Sequence, residues 1–236
     1  MSLALYKKKR NFKETPEPAS KAKSSASKLS FVIQRHKASH LHYDFRLEMD
    51  GTLKSWAIPK GPSLNPQDKR LAMMVEDHPY SYKDFTGVIP EGNYGAGIVE
   101  IWDKGYFSDP DNSDKKTAEK KLKAGLHAGN LKFRLYGKKL KGEFALVKLR
   151  NGKQENAWLL IKHKDEHATD EEYNSEEHTL KRSPINKWLK EHDKPVVAKK
   201  VTAVVERSRS TGATAKKTAT KKAPAKKAEV ASKKKA

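Results

Sequence analysis

The chain has 236 residues and a formal net charge of +21, from 50 Lys/Arg against 29 Asp/Glu. It contains no cysteine, which excludes disulfides and thiolate metal sites and points to a reducing compartment. No stretch reads as a signal peptide or a membrane span.

The charge is unevenly placed. Residues 1–30 hold 8 Lys/Arg and 2 acids, and residues 195–236 hold 13 Lys/Arg and 2 acids. The middle, 31–194, holds 29 Lys/Arg and 25 acids, an ordinary balance for a globular domain. Three regions follow: a basic N-terminal arm over 1–29, a folded domain over 30–194 and a Lys/Ala-rich tail over 195–236. The tail has almost no large apolar side chains, so it is predicted to be disordered. Strongly basic flanks suit a polyanion, and nucleic acid is the first candidate.

Taken in chain order, residues 16–28 are rich in Pro, Ser, Ala and Lys and read as a mobile lead-in. Strands are expected at 30–35, 42–49, 53–58, 71–76, 97–103, 131–136, 143–149 and 157–162. From His42 to Met49 polar and apolar residues alternate strictly, the period of a half-buried strand. Asp50-Gly51 between two alternating runs signals a tight hairpin, and Asn151-Gly152 signals another turn. Helices are expected over Thr117–Ala128, stopped by Gly129-Asn130, and over Pro184–Glu191. The fold class is therefore mainly β, a barrel or sandwich with a few surface helices and disordered basic tails.

On the strand 42–49, His42 and Asp44 are same-face neighbours roughly 7 Å apart. His36, at the end of the preceding strand, can reach the same point. Two imidazoles and one carboxylate suit Mn, Fe, Co, Ni or Zn better than Mg, and three protein ligands leave positions open for substrate. Taken alone, a His-x-Asp is more often a solvated strand face than a ligand pair. Arg46 on the same face favours an anionic substrate, with phosphate first. Lys60, pinned in Pro59-Lys60-Gly61-Pro62, and Arg70 could complete a phosphate clamp. His78, in Glu76-Asp77-His78-Pro79, follows an apolar strand and could donate a proton or stabilise developing charge. His40 falls in a turn and is expected to be exposed. Gly92-Asn93-Tyr94-Gly95-Ala96-Gly97 precedes a strand, so it is a turn or bend and not a dinucleotide fingerprint. Glu48 stands where the Lys-x-Asp-Gly motif of nucleotidyl transfer needs lysine, which argues against ligase chemistry.

These segments together resemble the 3′-phosphoesterase module of bacterial ATP-dependent DNA ligase D. The resemblance is carried by Phe31-Val32-Ile33-Gln34-Arg35-His36, Leu41–Glu48, Leu53–Ser63, Val75–Pro79, Phe85–Gly97 and Trp158–Lys162, and runs from about Tyr6 to Asp165. Ligase and polymerase modules are absent from this sequence, so it looks like a stand-alone form. The resemblance implies a small closed or near-closed β-barrel with outer helices and a substrate groove. It implies removal of a 3′-terminal ribonucleoside and of a 3′-phosphate at DNA breaks, within non-homologous end joining. Manganese is the implied metal, with Co or Zn as alternatives, held by His36, His42 and Asp44. Arg46 and His78 resemble the groups at the scissile phosphate, with Tyr82 beside His78. Gln34, Lys60, Arg70 and Glu76 match supporting positions. Arg10 and Glu17 match an active-site arm in which Asn11 replaces the family's aspartate, making ribonucleoside removal the weaker activity. Implied partners are DNA 3′ ends on a primer-template, with DNA ligase and Ku-type end-joining proteins. The setting would be a monomer in the bacterial or archaeal cytoplasm, at the nucleoid. Two other readings compete on the residues alone. One is a non-haem iron oxygenase using His42, Asp44 and His78; the other is a non-catalytic nucleoid DNA-binding protein.

Overall fold

A computed structural model describes residues 3–19, 24, 27–150 and 154–192. The Asn151-Gly152 turn and the tail lie outside them. The described strands are β1 Leu29–Lys37, β2 Leu41–Met49, β3 Thr52–Ile58, β4 Lys69–Pro79, β5 Gly87–Ile89, β6 Gly97–Ser108, β7 Asn130–Tyr136, β8 Lys141–Lys148 and β9 Ala157–Lys162. They run β1-β2-β3-β4-β9-β8-β7-β6, and β6 pairs back onto β1. Each pairing is antiparallel, so the sheet closes into an eight-stranded barrel with β5 added on β6. This is the expected barrel and not a sandwich.

Local sequence explains the turns. Asp50 and Gly51 have φ of 52° and 64°, which is the two-residue turn whose twist matches the flanking strands. Helix α2, Lys115–Ala128, is capped by Asp114, which accepts from the backbone N–H groups of Lys116 and Thr117. It stops at Gly129, whose φ of 76° an L side chain rarely adopts. β6 runs five residues past its expected end. Gly105 permits this, because a Cβ there would come within 2.2 Å of the Tyr136 carbonyl oxygen.

The barrel interior holds one face of each strand. Phe31, Ile33, Phe45, Leu47, Trp56, Phe133 and Phe144 are fully buried there, and Ala118 and Leu122 of α2 join them. Each large side chain so removed from water contributes about 1.5–3 kcal/mol. At one barrel end Arg35 is completely buried, yet its charge is met by Glu100 and Glu176. Tyr43 donates to the same Glu176, and the Trp102 indole donates to the Ser175 carbonyl at 3.2 Å. These bonds tie the segment after β9 onto the barrel, including a 3-10 turn at Ser175–His178 and helix α3, Pro184–His192.

The polar face of β2 departs from the half-buried expectation: Asp44, Arg46 and Glu48 are buried. Helix α1, Leu3–Lys8, a 3-10 turn at Tyr80–Asp84 and β5 cover it. Tyr6, Leu53, Tyr80, Tyr82, Phe85, Ile89 and Val99 form a second apolar cluster there. The polar residues of β2 therefore sit between two apolar layers, where an unpaired charge is costly.

Candidate functional site

The register of β1 against β2 places His36 opposite His42 and Gln34 opposite Asp44. His36 Nδ1 lies 3.5 Å from Asp44 Oδ2, and His42 Nε2 lies 3.7 Å from Asp44 Oδ1. One ligand atom from each of the three residues lies within 4.8 Å of the others. The other nitrogen of each ring faces a carbonyl: His36 Nε2 donates to Gly95 O at 2.9 Å, and His42 Nδ1 donates to His40 O at 3.0 Å. A carbonyl only accepts, so those nitrogens carry the protons. The lone pairs of His36 Nδ1 and His42 Nε2 are left facing one carboxylate. That is the outer-layer arrangement that orients histidine metal ligands, and the donor set fits a transition-metal ion. His40 is exposed, as expected, and contributes its carbonyl and not its ring.

Arg46 is buried in the middle of this face and makes a hub. It donates to Asp44 Oδ2 at 2.9 Å, to Gln34 Oε1 at 2.7 Å and to Ser55 Oγ at 2.9 Å. Gln34 is in turn fixed by donating to the carbonyls of Tyr82 and Phe85 at 3.0 and 2.9 Å. Burial alone would raise the Asp44 carboxyl. The adjacent Arg46 charge overturns this and holds it well below the usual carboxylate range.

His78 sits beyond Arg46. Its Nδ1 lies 2.9 Å from the Glu76 carbonyl and 3.0 Å from Arg46 Nη1, and its Nε2 accepts from Arg10 Nη2 at 3.2 Å. Burial, and then the charges of Arg46 and Arg10, hold His78 well below its ordinary value. It is therefore a neutral ring with an accepting Nε2, at a position for which the sequence suggests either proton donation or stabilisation of developing charge. His78 also stands outside the converging ligand set, so the facial triad with His42 and Asp44 is not assembled; His36 supplies the third ligand atom.

The N-terminal arm completes the cleft. Arg10 donates to Glu17 Oε1 at 2.8 Å and to Glu76 Oε1 at 3.0 Å. Tyr82 donates to the same Glu17 oxygen at 2.9 Å, and its ring lies 4.8 Å from that of His78. Tyr6 of α1 packs on His78 with ring centres 5.0 Å apart. Arg10, His36, His42, Asp44, Arg46 and His78 line one cavity of about 210 Å³, together with Glu76 and Tyr82.

Lys60 and Arg70 are not brought there. They line a separate cavity of about 470 Å³ with Tyr43, Tyr173 and Glu176. Lys60 is exposed, and Arg70 is held by Asp68 at 2.7 Å and by the Tyr173 carbonyl at 2.6 Å. For Arg70 the reason is register: β4 passes the Asp44 level at Met73, paired with Ala57, and Arg70 lies three residues further along, paired with Leu160. Asn11 is exposed and accepts from Lys13 N at 3.2 Å, capping its own turn outside the cavity. Residues that sequence reasoning missed are Tyr6, Lys9, Ser55, Tyr94 and the Gly95 carbonyl. The glycine-rich run 92–97 was the available signal for the last two.

The signature of the DNA Ligase D 3′-phosphoesterase domain matches residues 34–148. The multifunctional non-homologous end joining protein LigD of Pseudomonas aeruginosa is 48% identical over 168 residues, 70% of this chain and 19% of that protein. The LigD proteins of Mycobacterium bovis and Mycolicibacterium smegmatis are 40% and 38% identical over 165 residues, 70% of this chain and 20% and 21% of theirs. The chain thus spans about a fifth of the length of these relatives.

Proposed function

Because the chain belongs, through residues 34–148, to the DNA ligase D 3′-phosphoesterase domain family, we propose that it is a metal-dependent DNA 3′-end-processing phosphoesterase. It removes 3′-terminal ribonucleosides and 3′-phosphates at breaks, serving non-homologous end joining. The observation that carries this reading is the convergence of His36, His42 and Asp44 on one point, with their lone pairs aimed inward, beside the buried side chains of Arg46 and Arg10.

His36, His42 and Asp44 would hold the ion, Mn by preference with Co or Zn as alternatives. A divalent ion in such a site polarises phosphoryl oxygens as a Lewis acid. Arg46 and Arg10 supply fixed positive charge toward the same cavity, in a setting with little water to screen it. Arg10 is positioned by Glu17, Glu76 and His78, so its guanidinium plane is set before substrate arrives. His78 Nε2, held neutral and accepting from Arg10, keeps that guanidinium aimed at the cavity. Gln34, Ser55 and Tyr82 hold Arg46, His78 and the arm in place. Lys60 and Arg70 would serve the path of the DNA and not the reacting phosphate. The partners on this reading are DNA 3′ ends, with DNA ligase and Ku-type proteins alongside, for a monomer at the bacterial or archaeal nucleoid.

The test is incubation of 3′-phosphate and 3′-monoribonucleotide primer-templates with the protein and Mn, beside a chelator control. His42→Ala and Asp44→Asn should cut both activities by about a hundredfold or more. Calorimetry should show lost Mn binding, and circular dichroism an intact barrel. Full turnover in folded His42→Ala protein would refute the site.

A further inference from the structure

Arg10, Asp44, Arg46 and the histidines give the cleft its charge, and Ala38, Ala57, Val75 and Tyr94 line it as well. Tyr94 is 48% exposed, a large aromatic left open to solvent at the mouth of a polar site. It is held in place all the same: Lys9 Nζ donates to its hydroxyl at 3.1 Å and lies 4.4 Å from the ring centre. Gly92 and Gly95, at φ of 84° and 78°, shape the turn that presents it. The Gly95 carbonyl, one residue on, orients His36, so the ring and the candidate metal site share one backbone anchor. Arg10 stands between the histidine and this ring, with Nη2 on His78 at 3.2 Å and its guanidinium 5.5 Å from the Tyr94 ring centre.

We propose that a phosphate resting on Arg10 leaves its own nucleoside beside Tyr94, and that this ring forms a nucleoside subsite on which the base of the phosphate-bearing 3′-terminal nucleotide stacks. The inference rests on the reading of the cleft as a 3′-phosphoesterase. Every base has a π-face, so stacking of this kind tolerates any sequence, which suits an enzyme that meets ends of arbitrary sequence.

The test uses the full chain and a 3′-phosphorylated primer-template whose terminal primer base is 2-aminopurine. In chelator, without turnover, the wild type and Tyr94→Phe should change the 2-aminopurine emission on saturation. Tyr94→Ala should not, although anisotropy reports binding. With Mn, wild-type KM should rise about tenfold when the terminal base is removed, the fold-change that ~1.4 kcal/mol of stacking produces. Tyr94→Ala should raise KM about tenfold on the base-bearing end and erase the difference between the two ends. The same emission change in Tyr94→Ala, or equal wild-type KM on both ends, would overturn the subsite. So would an equal fall of kcat on both ends in Tyr94→Ala, which would reduce the ring to a prop for Lys9 and Arg10. A wild type that releases no phosphate from any 3′ end would refute the phosphoesterase reading instead; the emission measurement, which needs no turnover, would still decide on Tyr94.

Discussion

Arg46 Nη2 donates to Asp44 Oδ2 at 2.9 Å, the same carboxylate that faces both imidazoles of the candidate metal site. Both residues are buried, so each charge depends on the other for its solvation. Removing one partner of a buried pair costs about 3–5 kcal/mol, because the remaining charge is left uncompensated. Arg46→Met should therefore lower the melting temperature by about 6–20 °C, at about 2–4 °C per kcal/mol for a domain of this size. Added Mn should recover more stability in Arg46→Met than in the wild type, since a divalent cation then becomes the main partner of Asp44. Melting curves with and without Mn check this; an equal Mn effect in both proteins would place the ion elsewhere.

The arm should release from the barrel in acid. Burial would raise Glu76, but Lys9 and Arg10 outweigh it and hold its carboxyl below the ordinary value of 4.5. A depressed carboxyl stabilises the docked state above its unfolded value, and that stabilisation is lost as pH falls through the lower docked value. Proteolysis between Arg10 and residue 28 should therefore accelerate below about pH 4.5 while the barrel stays folded. Glu76→Gln should show the faster cleavage already at neutral pH.

Asn11 caps the turn that carries Arg10 toward His78 and does not line the cavity. Aspartate can accept the same backbone N–H. Asn11→Asp should leave the ratio of ribonucleoside to phosphate removal within about twofold, whereas Asn11→Ala, which removes the cap, should lower both by loosening the arm; loss of such a cap costs about 1 kcal/mol. A large shift of the ratio in Asn11→Asp would show that charge at this position acts on the substrate.

Residues 195–236 carry 13 Lys/Arg and 2 acids. Deleting them should weaken duplex binding and flatten its salt dependence, each lost phosphate contact removing about 0.9 from the log–log slope. Turnover on saturating short substrate should persist, because the proposed chemistry lies in the barrel. A salt titration of binding and a steady-state assay on both proteins decide it. Equal slopes would show an idle tail.

What the sequence by itself determined was local. The alternation from His42 to Met49, the Asp50-Gly51 turn and the Gly129 stop of α2 depend on neighbouring residues, and they appear where their spacing puts them. The His36, His42 and Asp44 set was legible because one hairpin holds all three. Tertiary structure decided the rest. Helix α1 is six residues long, too short to stand alone in water, and exists through Tyr6 packed on His78 and Tyr82. No local signal showed that the polar face of β2 would be roofed over. Yet that burial is what leaves His78 neutral and makes Asp44 depend on Arg46. Lys60 and Arg70 looked like part of one clamp on charge alone; the turn after β3 carried Lys60, and the register of β4 carried Arg70, to another cavity. Charge in a sequence says what a residue can bind, and strand pairing across the barrel says which charges meet.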